Sequence, residues 1–571
     1  MNHPTPAIVA QGAVHRLPRV ALFLFCIAYV LPGFLGRGPW KSADITAFGY
    51  MAELAKGNTS WFSPQLLGLS PEVDALLPYW LGAWAMRLAP SWITPDLAAR
   101  LPFILLMTIT LLATWYGTYY LARSPEAQPV AFAFGGEALP PDYARAMADG
   151  GLLAFIACLG LAQLSHETTP ALAQLCFTAL TFYALAALPY RTIFPTIAGV
   201  LGLSGLALSG APTLAVLFGA GSAVIHLLVK SPDAINARHK VYWAGGIALL
   251  TLLITLLANT LNLWRWRIEL PQATWAEWRS LGRLFLWFTW PAWPLALWTI
   301  WRWRRQLIQG GATSRHLALP MWFASVAVVA TLTTGSADRS LLLALPALAA
   351  LAAFALPTLE RSFAALIDWF TLLFFSSCAL TIWVVWISMQ TGIPRQPATN
   401  VARLAPEFEH SFSFAPFLIA IFATLAWAWL VKWRVGRHRA AIWKSLVLPA
   451  GGAALCWLLL MTLWLPLLDF ARSYAPLVRR TMIIMQRQPA CVEAYGLSRG
   501  QIAAFAFHGN LTITLAGAQP GCAWMIVDRD SVKLLPQVMD LSPWTAHSSM
   551  RHPADHDEDV VIYQRTGKPA R

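Results

Sequence analysis

The stretch GRGPWKSADITAFGYMAELAKGNTSW, residues 36–61, places a carboxylate, Asp44, shortly after the first apolar run of the chain. That run, residues 20–35, has no small-residue cleavage site and is followed by Arg37 and Trp40. It is therefore predicted to be an uncleaved membrane anchor. A carboxylate at the edge of the hydrocarbon layer costs several kcal/mol unless it is solvated or paired. Asp44 therefore needs an explanation, either as a helix cap or as a functional group.

The whole chain has the composition of a membrane protein. Of its 571 residues, 57% are hydrophobic and 12% are charged, and apolar runs recur from end to end. Runs of about 20 apolar residues match a hydrocarbon layer about 30 Å thick. We predict a polytopic α-helical membrane protein with about 13 transmembrane helices. The predicted spans are 20–36, 101–122, 150–165, 170–189, 193–209, 212–229, 241–263, 284–300, 317–333, 339–357, 363–388, 413–431 and 445–468.

The basic residues give an orientation. The formal net charge of +14 indicates cytoplasmic loops rather than a nucleic-acid partner, because Lys and Arg concentrate on the inner side of membrane proteins. Three dense basic loops fall on the side of the N-terminus, at 230–240, 302–316 and 432–444. We therefore predict a bacterial inner-membrane protein with a cytoplasmic N-terminus and a periplasmic C-terminus.

This orientation gathers several charged residues on the periplasmic side. They lie in the first loop, 37–100, in the turn SHETTP with Glu167, in the loop 264–283, and in TTGSADRS with Asp338 and Arg339. Two amphipathic helices are expected in the first loop, at 44–57 and 74–90, lying in the membrane interface. At the start of the first helix, Asp44 is expected either to cap backbone N–H groups or to act in a site.

The tail forms a separate region by composition. We assign 1–468 to a transmembrane domain and 469–571 to a small periplasmic α/β domain. Short strand-like runs occur at ACVEAYG, IAAFAF, LTITLAG and CAWMIVD, separated by turn residues. Cys491 and Cys522 are the two cysteines outside the spans, and an oxidising periplasm permits a disulfide between them.

Several segments together resemble a known superfamily. Asp44 is followed by YMAELAKGNTSWFSPQLLG and LLPYWLGAWAMRLA, and Arg100 opens the second span. Later come SADRSLLLALPALAALAAFAL and RSYAPLVRR. In this order and topology, the chain resembles the GT-C glycosyltransferases that use polyprenyl-phosphate sugars. The similarity is to the protein O-mannosyltransferases and, more closely, to the bacterial lipid A aminoarabinose transferases.

The chain departs from this pattern at three places. Ile45 stands where a second acidic residue usually follows, and Asp74 stands where a lysine is expected. Ser209, Gly210 and Ala211 replace a Thr-Lys-Gly motif. Two basic groups that would hold a donor phosphate are therefore absent. Either other arginines bind the phosphate, the substrate differs, or the protein has lost catalysis.

The resemblance implies roles for particular residues. Asp44 is the expected catalytic carboxylate, and phosphate binding is expected from Arg339, Arg100, Arg265 and Arg267. For each arginine the ordinary alternative is a snorkelling side chain at the membrane interface. The candidate accessory acids are Glu167, Asp74 and Asp338. His166 and Glu167 are possible ligands, with Asp44, for a divalent metal, but a surface turn is favoured there and no required cofactor is predicted.

The function implied is an inverting sugar transfer at the periplasmic face. The expected partners are a polyprenyl (undecaprenyl) phosphate sugar, a lipid A or other envelope glycan acceptor, and the bilayer. Two alternatives stay open: a non-catalytic family member that binds a polyprenyl lipid, and a lipid or solute transporter. The transporter is disfavoured because no internal repeat is evident and the acidic residues cluster outside the spans.

Overall fold

The computed structural model describes residues 5–228, 234–264, 269–272, 274–310, 314–335, 337–435, 441–485, 489, 491–517, 522–555 and 558–566. The helices are α1 (Arg19–Val30), α2 (Ala43–Lys56), α3 (Leu77–Leu88), α4 (Pro95–Ala122), α5 (Pro140–Ala157), α6 (Leu161–Leu164), α7 (Pro170–Ala187), α8 (Ile193–Leu208), α9 (Pro212–Leu228), α10 (Ala234–Thr260), α11 (Trp275–Phe288), α12 (Ala292–Arg302), α13 (Arg304–Gly310), α14 (Arg315–Leu332), α15 (Ala337–Leu342), α16 (Leu345–Ala355), α17 (Arg361–Thr391), α18 (Arg395–Leu404), α19 (Phe414–Val435), α20 (Lys444–Leu463), α21 (Leu465–Arg472), α22 (Ala475–Met485), α23 (Arg499–His508) and α24 (Leu535–Val538). The strands are β1 (Val492–Tyr495), β2 (Ile513–Leu515), β3 (Trp524–Asp528), β4 (Trp544–Arg551) and β5 (Asp559–Arg565).

The helices confirm a polytopic membrane protein. Within the described residues, seven helices are long and apolar enough to cross a membrane: α4, α7, α10, α14, α17, α19 and α20. Four shorter apolar helices, α1, α8, α9 and α16, coincide with further predicted spans. Several predicted spans differ. The 339–357 span is divided between α15 and α16, and the 445–468 span runs past the end of α20 into α21. The 284–300 span is divided between α11 and α12, and the 150–165 span is replaced by α5, which begins at Pro140 and includes Asp142 and Asp149.

The chain divides into two compact units. Unit 1 consists of residues 1–34, 103–380 and 418–461, and unit 2 of residues 35–102, 381–417 and 462–571. The first loop, which the sequence assigned to the transmembrane domain, thus lies in the same compact unit as the tail.

Unit 1 is a helix bundle packed through small residues. An added Cβ at Gly151 would lie 2.8 Å from the Thr118 Oγ1, and one at Gly202 would lie 2.4 Å from the Thr181 Oγ1. Glycines at such positions let helix backbones approach closely, which is how helices associate where lipid removes the hydrophobic driving force. Helices α5, α7 and α16 are almost wholly buried. By contrast, only 22% of the most apolar part of α10 is buried by other parts of the protein. The exposed apolar surface of this helix is suited to contact lipid.

Unit 2 contains a five-stranded sheet with the order β2-β1-β3-β5-β4. Strands β2, β1 and β3 are parallel, whereas β5 runs antiparallel to β3 and β4. Residues such as Met525, Val527 and Trp544 form its core. A disulfide joins Cys491 and Cys522, whose Cα atoms are 5.3 Å apart, at the pairing that the sequence suggested.

One strand prediction in the tail is wrong. IAAFAF lies in helix α23, because Ser498 and Gln501 form a capping box that starts a helix at Arg499. The alanines in this run are also strong helix formers. The other three runs are strands β1, β2 and β3.

Helix α2 is a core element of unit 2. Its apolar residues Ile45, Phe48 and Met51 are buried, and it packs against both α3 and α23. At the contact with α23, an added Cβ on Gly49 would lie 2.6 Å from the Ala503 Cβ. The apolar periodicity of α2 therefore faces protein, whereas α3 keeps the exposed side chains of Trp84 and Leu88.

Candidate functional site

Asp44 forms a sealed ion pair in unit 2. Its Oδ2 accepts a hydrogen bond from the Arg37 Nη1 at 2.7 Å and another from the Trp40 backbone N–H at 3.1 Å. Both charged side chains are only 1% exposed. A buried carboxylate and a buried guanidinium are each costly alone, so each compensates the charge of the other.

The helix-cap explanation of Asp44 does not hold. Ser42 is the N-cap residue of α2, and no side-chain capping bond is made at this end. Asp44 is the second helical residue, and its carboxylate reaches back to the segment before the helix. Its negative charge still lies in the first turn, where the helix macrodipole favours an anion.

Arg100, predicted to bind phosphate, supports the same segment. Its Nη1 donates to the Arg37 backbone oxygen at 2.6 Å and to the Asp96 Oδ2 at 3.3 Å. Its side chain is almost fully buried, and its Nη2 has no hydrogen-bond partner among the described residues. Arg100 therefore acts on the backbone of Arg37 in this structure, and a role in phosphate binding stays a prediction.

Two residues of the tail complete the surroundings of Asp44. Asp469 accepts hydrogen bonds from the Gly38 backbone N–H and the Trp40 indole, each at 3.0 Å. The guanidinium of Arg472 lies 5.5 Å from the Trp40 ring, and that of Arg37 lies 4.4 Å from it. No role was predicted for Arg37, Asp469 or Arg472 from the sequence. Arg37 had a visible signal, since it follows an apolar run and precedes Asp44 by seven residues, whereas Asp469 is too distant in sequence to be paired by inspection.

Arg339 and Glu167, both predicted site residues, are brought together in unit 1. The Arg339 Nη2 lies 3.4 Å from the Glu167 Oε2, and the Gln163 Nε2 donates to the other Glu167 oxygen at 3.3 Å. The Arg339 side chain is 32% exposed and the Glu167 side chain 8%. Asp338 instead accepts a hydrogen bond from the Arg339 backbone N–H at 2.9 Å, which places it at the start of α15.

A groove of about 380 Å³ in unit 1 is lined almost entirely by apolar side chains. It runs between helices α11, α12, α14 and α16, and Leu341 of α15 contributes to its wall. Arg339 lies on the same short helix, two residues before Leu341. Other lining residues are Gly282, Phe285, Leu297, Met321, Val328 and Leu348.

His166 is a core residue of unit 1. Its Nε2 lies 3.1 Å from the Tyr29 backbone oxygen, and its Nδ1 contacts the backbone oxygen of Ala162. Its ring packs against Phe34 and Trp457, with centroids 5.0 and 4.7 Å away. Among the residues that the structure describes, no group of three or more His, Cys, Asp or Glu side chains is arranged to hold a metal ion.

The remaining candidates are placed as follows. Asp74 is half-buried in the loop before α3. Burial raises the pKa of the Tyr79 hydroxyl, and the charge of Asp74 adds to this effect. Arg265 and Arg267 lie outside the described residues. Asp44 and Arg100 thus belong to unit 2, and Glu167, Asp338 and Arg339 to unit 1.

The class of protein follows from this architecture: the chain is a polytopic membrane protein with the GT-C fold. It is similar to the crystal structure of ArnT from Cupriavidus metallidurans bound to undecaprenyl phosphate. The TM-score is 0.58 at 12% identity, over 97% of this chain and 98% of that one. The apo state of the same ArnT gives a TM-score of 0.55 at 13% identity, over 95% and 96% of the two chains. No protein-family model and no curated protein matches the chain.

Proposed function

We propose that this protein is an inverting glycosyltransferase. It transfers a sugar from a polyprenyl phosphate, such as undecaprenyl phosphate, to lipid A or another envelope glycan at the periplasmic face of the bacterial inner membrane. The proposal is supported by the GT-C fold and by the similarity to ArnT, which has been solved with undecaprenyl phosphate bound. It includes the orientation with a cytoplasmic N-terminus and a periplasmic tail.

The observation that carries the proposal is the apolar groove of unit 1, whose wall includes one residue of the short helix that carries Arg339. A polyprenyl phosphate combines a long apolar chain with one anionic head, so its site needs an apolar channel with a cation close by. Unit 1 has an apolar groove whose wall includes Leu341, and Arg339 lies on the same six-residue helix. The Arg339 guanidinium is partly exposed, and its contact with Glu167 is long.

Arg339 is therefore the proposed phosphate-binding residue. Its Nε–H has no hydrogen-bond partner among the described residues, and its Nη2 contacts Glu167 at 3.4 Å. A phosphate oxygen makes shorter, charge-assisted hydrogen bonds with a guanidinium than this contact provides. When the lipid phosphate binds, it competes with Glu167 for Arg339, and Gln163 continues to hold Glu167.

Asp44 is the proposed catalytic carboxylate. The acceptor hydroxyl oxygen attacks the anomeric carbon, and the bond from that carbon to the phosphate oxygen breaks with its electron pair leaving on the phosphate. Asp44 accepts the hydroxyl proton and stabilises positive charge on the sugar. Because Asp44 is sealed by Arg37, the segment 37–44 has to open before substrate reaches the carboxylate. The proposed reaction includes no metal ion.

The sealing of Asp44 favours one second candidate function. If the Arg37–Asp44 pair never opens, the protein binds a polyprenyl phosphate through the groove and Arg339 without transferring a sugar. Both functions share the lipid site, so a binding assay with undecaprenyl phosphate does not separate them. A transfer assay does.

The test is mass spectrometry of lipid A and envelope glycans from cells that carry the wild-type gene, a deletion, or the Asp44→Asn or Asp540→Asn variant. Asp540→Asn is the control for the same chemical change at an exposed carboxylate, which accepts hydrogen bonds from Ser542 in a turn. The proposal predicts a sugar modification that is lost in the deletion and in Asp44→Asn, and retained in Asp540→Asn. An unchanged glycan profile in the deletion would contradict a transferase.

A further inference from the structure

We propose that Asp469, in the first helix of the tail, is a positioning residue for Asp44 and acts on it through Trp40. The inference rests on the proposed function, in which Asp44 is the reacting carboxylate. It assigns the tail a direct part in the sugar transfer, as the support that sets the geometry of the segment 37–44.

The first step is the contact between Asp469 and the segment. One oxygen, Oδ1, accepts hydrogen bonds from the Gly38 backbone N–H and from the Trp40 Nε1–H, both at 3.0 Å. The two donors are two residues apart, so this oxygen fixes both the path of the backbone and the orientation of the indole. A carboxylate is a stronger acceptor for such donors than a neutral group.

The second step links Trp40 to the reacting group. The Trp40 backbone N–H donates to the Asp44 Oδ2 at 3.1 Å, and the same oxygen accepts from the Arg37 Nη1. The Arg37 guanidinium also lies 4.4 Å from the Trp40 ring, within the range of a cation–π contact. A displacement of Trp40, backbone and ring together, therefore shifts one donor to this Asp44 oxygen directly and the other, on Arg37, through its contact with the ring.

The end of the same tail helix provides a second attachment. The Arg472 backbone oxygen accepts a hydrogen bond from the Lys41 N–H at 2.7 Å, and the Arg472 guanidinium lies 5.5 Å from the Trp40 ring. Trp40 is thus held by Asp469 at its indole N–H and flanked by Arg37 and Arg472. Since Asp469 and Arg472 lie on one helix, α21, they move as one body.

The segment is also in contact with the tail at Gly38. An added Cβ on Gly38 would lie 3.7 Å from the Asp469 Oδ1 and 3.9 Å from the nearest side-chain atoms of His508 and Ser473. The segment therefore lies directly against polar groups of the tail. Any displacement of α21 is transmitted to the segment by hydrogen bonds to its backbone and side chain.

The experiment compares Asp469→Ala and Asp469→Asn with wild type in hydrogen exchange of residues 36–44 and in transfer kinetics. Asp469→Ala removes the acceptor of two N–H groups, so faster exchange in 36–44 is expected, with kcat about 10- to 100-fold lower and KM for the lipid donor unchanged. Asp469→Asn keeps a carbonyl acceptor and should fall between the two. Asp540→Asn, in the same unit, should match wild type in both readouts.

A second variant tests the same hydrogen bond between Trp40 and Asp469 if Asp469→Ala fails to fold. Trp40→Phe removes the indole N–H and keeps an aromatic ring between the two arginines, so it should reproduce the slower kcat with unchanged KM. Wild-type exchange in 36–44 of Asp469→Ala would overturn the inference, as would faster exchange with wild-type kcat. Activity of Asp44→Asn would instead refute the proposed function and leave the exchange result standing.

Discussion

The two arginine–carboxylate pairs at the candidate sites differ in every physical respect that matters for binding. In unit 2, Arg37 and Asp44 are 2.7 Å apart and both side chains are 1% exposed. In unit 1, Arg339 and Glu167 are 3.4 Å apart, with 32% and 8% of their side chains exposed. The first pair has a short contact and both side chains are buried. The second pair has a longer contact, and its arginine is partly exposed to solvent.

The difference shows what each pair is suited to do. An open pair exchanges partners at low cost, because water screens the charges while the contact changes. A sealed pair loses several kcal/mol when one partner is removed, because the other charge is left buried. The partly exposed Arg339 is therefore suited to bind a ligand phosphate. The buried Asp44, by contrast, is kept ionised and fixed in position by Arg37.

The largest expected effect is on stability. Asp44→Asn removes the negative charge beside the buried Arg37 guanidinium. We therefore expect the free energy of unfolding to fall by about 3–5 kcal/mol. Glu167→Gln should change stability by less than about 1 kcal/mol, because Arg339 remains partly solvated. Thermal unfolding of both variants in the same detergent measures the difference. Equal losses in the two variants would remove the contrast between the pairs.

Next comes the binding of the lipid phosphate. Arg339→Gln removes the proposed phosphate contact, and a charge-assisted hydrogen bond contributes about 1.5–3 kcal/mol. The KM for the lipid donor should therefore rise about 10- to 100-fold, with the melting temperature little changed. Titration with undecaprenyl phosphate provides an independent measure of affinity. Wild-type affinity in Arg339→Gln would show that the open pair is not the phosphate site.

A smaller effect is expected from filling the groove. Gly282 lines the groove and an added Cβ there meets nothing within 4 Å, so Gly282→Trp places an indole where the lipid chain is proposed to lie. We expect KM for the donor to rise about tenfold, since loss of roughly 55 Å² of apolar contact costs about 1.4 kcal/mol.

Gly245→Trp is the matched control for this change. Gly245 lies in the lipid-exposed helix α10, and an added Cβ there also meets nothing within 4 Å. This variant should leave the KM at the wild-type value. An equal rise in KM for both variants would mean that the effect comes from the tryptophan and not from the groove.

The smallest expected effect is a pH dependence in unit 2. Burial lowers the pKa of His552 below its ordinary value of 6.5, and its Nε2–H donates to the Ser473 backbone oxygen. The unfolded chain therefore binds a proton near pH 6.5 that the folded chain does not. Stability should be complete above pH 6.5 and fall as the pH drops below it.

Thermal unfolding at pH 7.5 and 5.5 measures this loss of stability. His552→Gln cannot take up the proton, so its melting temperature should vary less between the two pH values than that of wild type. An undiminished pH dependence in His552→Gln would assign the loss to other groups, such as His508, whose pKa burial also lowers.

Much of the fold could be predicted from the sequence. Apolar runs predicted α4, α7, α14 and α20 closely, because the length of a span is set by the bilayer. Helix breaks were harder to predict. The apolar run 284–300 contains Trp290 and Pro291, and the structure ends one helix before them and starts another after them. IAAFAF was predicted to be a strand because it is a short apolar run. The helix-capping residue Ser498, which precedes it, was not taken into account.

The candidate site could be predicted only in part. Asp44 stood out as a lone acid next to an apolar run, and Arg339 because it opens a predicted span on the periplasmic side, where the resembled family often has a basic residue. Glu167, the partner of Arg339, was also among the predicted residues, whereas Arg37 and Asp469, which surround Asp44, were not. Asp469 and Trp40 are more than four hundred residues apart in the sequence. Their contact depends on the tertiary structure, which a local sequence pattern does not predict.

The central claim is that the Asp44 carboxylate does chemistry in addition to neutralising Arg37, and the double variant Arg37→Gln/Asp44→Asn tests it most directly. The double variant buries two neutral amides in place of the ion pair, so the melting temperature should recover most of what Asp44→Asn alone loses. Sugar transfer by the purified protein should stay abolished. Recovery of transfer together with stability would contradict the account, because it would show that the sealed pair only holds the fold together.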